Sequence, residues 1–219
     1  MNDMEKVVTL IVEELAKQGK LVSDGIESGE ANLIPVGTSN RHLHLSDSDL
    51  EALFGKGYKL TSIKDLSQPG QFACKETVNL IGPKGIIENV RILGPTRSHT
   101  QVEIFAGDCF KLGVNAPLRV SGNITGTPGL SICGPLCCVN IDSGVIVAKR
   151  HIHMTKEDAK RFDCVDGEIV SAVVEGERGG LLGNVEIRVT DASKLDFHID
   201  TEEANCMGIK GNTKVKIIK

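Results

Sequence analysis

The spacing of apolar residues changes once along this chain, near residue 30. Before that point Met4, Val7, Val8, Ile11 and Leu15 recur at helical spacing, Asn2 or Asp3 can cap the start, and Lys17, Gly19 and Lys20 suit the end. This predicts an amphipathic helix over residues 2–18. Residues 23–30 are polar and carry two glycines, a linker composition. A short helix on such a tether packs on its own domain, joins a second subunit, or docks into a larger assembly. Beyond residue 32 the apolar runs become short and strand-like, at 77–81, 86–93, 101–105, 117–120, 145–148, 168–174, 181–189 and 213–218. Gly and Pro punctuate them, the pattern of small barrels or sandwiches. Two short helices are expected. Ser46 to Asp49 forms a capping-box pattern ahead of Leu50, Leu53 and Phe54, stopped by Gly55. Thr155 to Asp158 forms another ahead of Ala159 and Phe162.

Both capping patterns follow copies of one motif. The first reads Ser39-Asn40-Arg41-His42-Leu43-His44-Leu45-Ser46 and the second Lys149-Arg150-His151-Ile152-His153-Met154-Thr155. His42 and His151 are 109 residues apart, as are Asp49 and Asp158. That period is too long for a solenoid unit. It predicts a mainly β, duplicated domain whose copies face each other.

Composition narrows the function. Apolar residues make up 40% of the chain but aromatics only 3%, with no Trp, so the core must be Val, Ile, Leu and Ala. Base-stacking platforms are not expected. A net charge of −4 gives no basic footprint for nucleic acid. No apolar run approaches the roughly 20 residues of a membrane span, so a soluble protein is expected. The seven cysteines form no Cys-x-x-Cys pair and follow no secretory signal. They are expected to be reduced thiols, with adjacent Cys137 and Cys138 as small buried fillers.

Four of the six histidines sit in the two motifs. Residues two apart in a strand share a face, so each His-x-His can aim two imidazoles at one point. A catalytic zinc takes three protein ligands and keeps a position open. The third ligand downstream of the second motif is His198; downstream of the first the candidates are Glu76, His99 and Glu103. A lone His-x-His is more often a surface strand, but two copies at equivalent positions favour metal binding at the junction. Lys84, Arg91 and Arg97 lie in Gly/Pro-rich surroundings suited to phosphate, although taken alone they suit solvated surface equally well. No Walker or Rossmann glycine motif is present. Two metals beside a basic patch point to a substrate with phosphate oxygens.

A family resemblance rests on residues 34–46 and on Lys64-Asp65-Leu66-Ser67-Gln68-Pro69-Gly70-Gln71-Phe72-Ala73, Lys75-Glu76-Thr77-Val78 and Gly94-Pro95-Thr96-Arg97. It extends to Gln101-Val102-Glu103 and His198-Ile199-Asp200-Thr201-Glu202-Glu203-Ala204-Asn205. Together these resemble the phosphate propanoyltransferase family, the Pdu-type phosphotransacylases of bacterial microcompartments, over nearly all of residues 32–219. The resemblance implies tandem β-barrels: 1–31 as helix and linker, 32–140 as the first barrel and 141–219 as the second, with strand exchange between them left open. It implies one zinc on His42, His44 and Glu103 and another on His151, His153 and His198. Arg97 would hold phosphate as the catalytic residue, and coenzyme A would meet Thr38, Ser39, Asn40, Lys84, Arg91 and Asn205. His99 departs from the family pattern, which has a small or polar residue there.

The implied reaction converts acyl-CoA and phosphate to acyl phosphate and CoA, with propanoyl or acetyl as the acyl group. The implied setting is the bacterial cytoplasm or a microcompartment, with shell or core proteins, or a second copy of the chain, as partners of the N-terminal helix. The rival readings are a two-metal thioesterase or phosphoesterase and a structural zinc scaffold. Arg41 and Arg150 are expected to brace the histidine strands.

Overall fold

Each histidine motif forms a short strand that runs straight into a capped helix. The computed structural model describes residues 32–219; the helix expected over 2–18 and its linker lie outside them. The first repeat holds β1 (Ile34–Ser39), β2 (His42–His44), α1 (Asp47–Phe54), β3 (Ser62–Asp65), β4 (Phe72–Ile81), β5 (Ile86–Gly94) and β6 (Gln101–Ile104). It continues through α2 (Ala106–Leu112), β7 (Leu118–Arg119), β8 (Leu130–Cys133) and β9 (Cys138–Ile141). The second repeat holds β10 (Val145–Ala148), β11 (His151–Met154), α3 (Lys156–Arg161), β12 (Ile169–Val174), β13 (Gly180–Val189), β14 (Asp196–Asp200), α4 (Thr201–Met207) and β15 (Lys214–Ile218). The fold is mainly β with short helices, and none of the described helices is long and apolar enough to cross a membrane.

Six strands close a barrel in the order β1-β14-β11-β13-β12-β15. The others form a barrel-like nine-stranded sheet, β7-β10-β6-β2-β5-β4-β8-β9, with β3 on β4. The first strand of each repeat therefore lies in the other repeat's sheet. β1 pairs in parallel with β14 and antiparallel with β15, while β10 pairs in parallel with β6 and β7. Leu33–Lys219 forms one compact unit, and a cut at residue 140 would part each sheet from one of its strands. Only Asn40 and Arg41 separate β1 from β2, and only Lys149 and Arg150 separate β10 from β11. Two residues reach at most about 10 Å, so both histidine strands are pinned where the chain crosses between sheets.

The duplication runs deeper than the motifs. Arg91 and Glu186 occupy matching register positions opposite His42 and His151, on strands that run parallel to the histidine strands. Glu103 and His198 match in the same way on antiparallel strands. Both pairs are 95 residues apart, as are Asp108 and Glu203, the third residues of α2 and α4, and Gly113 and Gly208, their left-handed C-caps.

The two cores are aliphatic. Leu43, Leu45, Leu80, Ile92 and Ile132 are fully buried in one, and Ile34, Ile152, Met154 and Ile187 join Phe197 in the other. Thr155 and Asp158 form the expected capping box on α3. Ser46 caps α1 by accepting from Asp49 N at 3.2 Å, but its own amide goes to Thr100 Oγ1 at 2.9 Å. Thr100 also donates to the Asp49 carboxylate, so the reciprocal half of the box is diverted. The cysteine expectation requires correction. Cys133 and Cys138, directly paired across β8 and β9, form a disulfide. Cys137 is an exposed thiol rather than a filler. Cross-strand pairing, which no Cys spacing reports, brings the two sulfurs together.

Fragments 32–140 and 141–219 are expected to be unfolded when expressed singly and to assemble when co-expressed. Circular dichroism and gel filtration check this.

Candidate active site at the junction of the repeats

Strand register builds the site. His42 lies opposite Glu103 and His44 opposite Gln101; His151 lies opposite His198 and His153 opposite Asp196. The link residues orient the first imidazole of each motif in the same way. Nδ1 of His42 donates to Asn40 O at 2.8 Å, and Nδ1 of His151 donates to Lys149 O at 2.8 Å. That leaves each Nε2 as the ring nitrogen turned towards the other candidate ligands, the usual arrangement of a ligating histidine.

In the second repeat Nε2 of His151 and Nε2 of His153 are 3.0 Å apart. Among the described residues, His151, His153 and His198 are the one group of three whose ligating atoms all lie within 4.8 Å of each other. Burial lowers the His151 pKa to about 4 and that of His153 to about 3, helped by neighbouring imidazoles and Arg188. The rings are therefore neutral, the form a metal requires.

The first repeat is held differently. Nε2 of His42 lies 3.4 Å from Glu103 Oε2. His44 is buried with Nδ1 unpartnered, and burial followed by the charge of Arg97 takes its pKa to about 3. Burial pushes the Glu103 carboxyl up, but His42, His44, a Ser121 hydrogen bond and Arg97 together hold it below the usual carboxylate range. The charge of Glu103 also reaches His151, so the two clusters face one another.

One cavity of about 580 Å³ joins them, and Thr38, Ser39, Asn40, Arg91, Arg97 and Glu103 line it with the five motif and strand histidines. Lys84 and Asn205 do not line it; both are exposed, Lys84 beside Gly113 and Asn205 on α4. Glu76 is occupied elsewhere, accepting from Tyr58 Oη at 3.0 Å and from the Thr61 amide. His99 is exposed and outside the cavity. Arg41 pairs bidentately with Asp108 at 2.7 and 3.0 Å, and Arg150 pairs with Glu203 at 2.6 Å, so each motif arginine ties its link to the helix after the third-ligand strand.

Sequence reasoning missed Arg188, Ser121, Ser67 and Lys64, which also line the cavity. Arg188 lies opposite His153 on β13, where the alternation of Glu186, Arg188 and buried Val185 and Ile187 was a readable signal. Arg97 donates to Ser121 Oγ at 3.1 Å. Burial first, and then the charge of Arg188, lowers its pKa. Among the described residues no carboxylate forms a salt bridge with Arg91, Arg97 or Arg188, so the cavity presents three guanidinium groups suited to an anion.

The family model described as Phosphate propanoyltransferase matches residues 35–210. Curated relatives carrying that name include one from Thermotoga maritima, 52% identical over 85% of this chain and 89% of its own length. Another from Rhodobacter capsulatus is 46% identical over 98% of both chains, and one from Clostridioides difficile is 48% identical over 99% of both.

Two outcomes are expected from the site itself. A Cβ on Gly37 would stand 2.6 Å from Asp196 Oδ2 and 2.9 Å from His198 Cδ2. Gly37→Ala should cost about 1–3 kcal/mol in denaturant unfolding and shift the His198 ring resonances. The second concerns acid. His44, His151 and His153 protonate near pH 6.5 when unfolded but near 3 to 4 in the fold. The metal-free protein should therefore lose stability as pH falls from about 6.5 to 4, measured by urea unfolding in chelator.

Proposed function

As a member of the phosphate propanoyltransferase family this chain is an acyltransferase, and we propose that its cavity exchanges a propanoyl or acetyl group between coenzyme A and phosphate beside two zinc ions. The observation that carries this reading is the meeting of two histidine-rich ligand sets with three arginines free of carboxylate partners in a single cavity. His151, His153 and His198 fit one ion. His42, His44 and Glu103 fit the other, with Nε2 of His42 already 3.4 Å from Glu103 Oε2. Three protein ligands in each set leave room for substrate. Bound there, zinc supplies Lewis acidity towards a carbonyl or phosphate oxygen.

The chain's own residues supply position and charge. Arg97, steadied by Ser121 Oγ, holds phosphate oxygens. The β1 turn at Thr38, Ser39 and Asn40 receives coenzyme A beside Arg91, whose Nη1 is fixed by the carbonyls of Cys74 and Lys75 at 2.9 and 2.8 Å. Lys84 and Asn205 meet the coenzyme, in this reading, beyond the cavity mouth. A phosphate oxygen attacks the thioester carbonyl carbon; a C–O bond forms, the C–S bond breaks, and sulfur leaves as the CoA thiolate. Holding two anions together in this orientation removes most of the entropic barrier to their encounter.

Direct attack is favoured over an acyl-enzyme, since no cysteine among the described residues lines the cavity. Ser67, His198 and Asp196 superficially resemble a hydrolytic triad. However, Ser67 and Asp196 both bond the same Nε2 of His198, at 3.2 and 2.8 Å, whereas a relay needs opposite ring nitrogens.

Release of free CoA should require phosphate and yield acyl phosphate, assayed across acyl chain lengths. Arg97→Ala should lower kcat/KM for phosphate on the order of 100-fold. Verified zinc removal should abolish turnover. CoA release independent of phosphate would mean hydrolysis and defeat the reading.

A further inference from the structure

The two third-ligand positions differ in chemistry, and so do the residues that support them. Glu103 is a carboxylate and His198 an imidazole. Two residues earlier on the same strand stand Gln101 and Asp196, themselves 95 residues apart and both buried, at 2% and 4% exposure. Residues two apart in a strand share a face, and each pair is in contact. Gln101 Nε2 donates to Glu103 Oε1 at 2.7 Å and also to Ser121 Oγ at 2.8 Å. Its Oε1 accepts from Gly122 N at 2.7 Å, which fixes the amide's orientation. Asp196 Oδ2 accepts from His198 Nε2 at 2.8 Å.

The supports cannot be exchanged. Asp beside Glu103 would set two carboxylates against each other, and Gln beside His198 would supply no charge to the ring. A carboxylate ligand has received a donor and an imidazole ligand an anionic acceptor. Packing confines the second pair, because Gly37 lies opposite His198 with no room for a Cβ beside Asp196, whereas the matching Ile146 lies opposite Glu103.

We propose that Gln101 and Asp196 are positioning residues, one for each metal position, that orient the third ligands so that each ion is held by a His-x-His pair and one carboxylate. That carboxylate is direct in the first set and acts through the His198 ring in the second. This rests on the two-zinc reading. Hydrogen-bonded partners of this kind set the ring's protonated nitrogen and basicity, and their loss typically costs 10–100-fold in metal affinity.

The test is zinc affinity of the full chain, measured by competition with a chromophoric chelator. The wild type should take up two ions. Asp196→Asn, which keeps the shape, should weaken one of them by roughly 10–100-fold and leave the other unchanged; Gln101→Leu should weaken the other one. His198→Glu should weaken the same ion as Asp196→Asn, and adding Asp196→Gln to it should restore binding, because the pair then copies Glu103 with Gln101. Wild-type affinities in both single support variants would overturn the proposal. So would a double variant that binds no better than His198→Glu alone, an outcome that decides the matter even if Asp196→Asn fails to fold. A wild-type chain that takes up no zinc overturns the two-zinc reading and this inference together, and is recognised without any variant.

Discussion

Two exchanged strands hold this molecule together, and the two-residue links that leave them place everything at its centre. β1 and β10 each spend their backbone hydrogen bonds on the opposite repeat, and after two residues the chain is back in its own sheet as a histidine strand. The links are braced from the side. Arg41 reaches Asp108, and Arg150 reaches Glu203, each acid being the third residue of the helix that follows the strand of Glu103 or His198. A half-buried, charge-assisted pair of this kind contributes about 1.5–3 kcal/mol. It also couples the motif to the strand carrying the third candidate ligand.

Burial then decides the chemistry of the cavity. Burial keeps His44, His151 and His153 neutral near pH 7, so their lone pairs stay available. Arginine does not yield its proton under the same pressure. The field of the Arg91, Arg97 and Arg188 guanidinium groups is not cancelled by a paired carboxylate among the described residues. A cavity of this character selects anionic substrates before any specific contact is made, which suits phosphate and a phosphorylated coenzyme.

The repeats are not equivalent in detail, and the differences fall at the site. Glu103 stands where His198 stands, Gln101 where Asp196 stands, and Leu93 where Arg188 stands. The backbone frame, the caps and the bracing arginines are shared. The same backbone frame occurs twice, and different side chains make the two halves of one cavity different.

Local patterns were legible in the chain because their physics is local. Strand alternation, the Ser46 and Thr155 caps, the Gly55 stop and the spacing of the two His-x-His motifs depend on neighbours within a few residues. The aliphatic core followed from composition. Long-range pairing was not legible. Which sheet received β1 and β10, the meeting of Cys133 with Cys138, the opposition of Arg188 to His153 and the pairing of Gln101 with Glu103 all depend on register between distant segments. A strand's sequence states which residues share a face, whereas the neighbour it takes is settled by closing a whole sheet. The two motifs thus announced four candidate ligands, and the tertiary structure alone decided that they would look into one cavity from two exchanged halves.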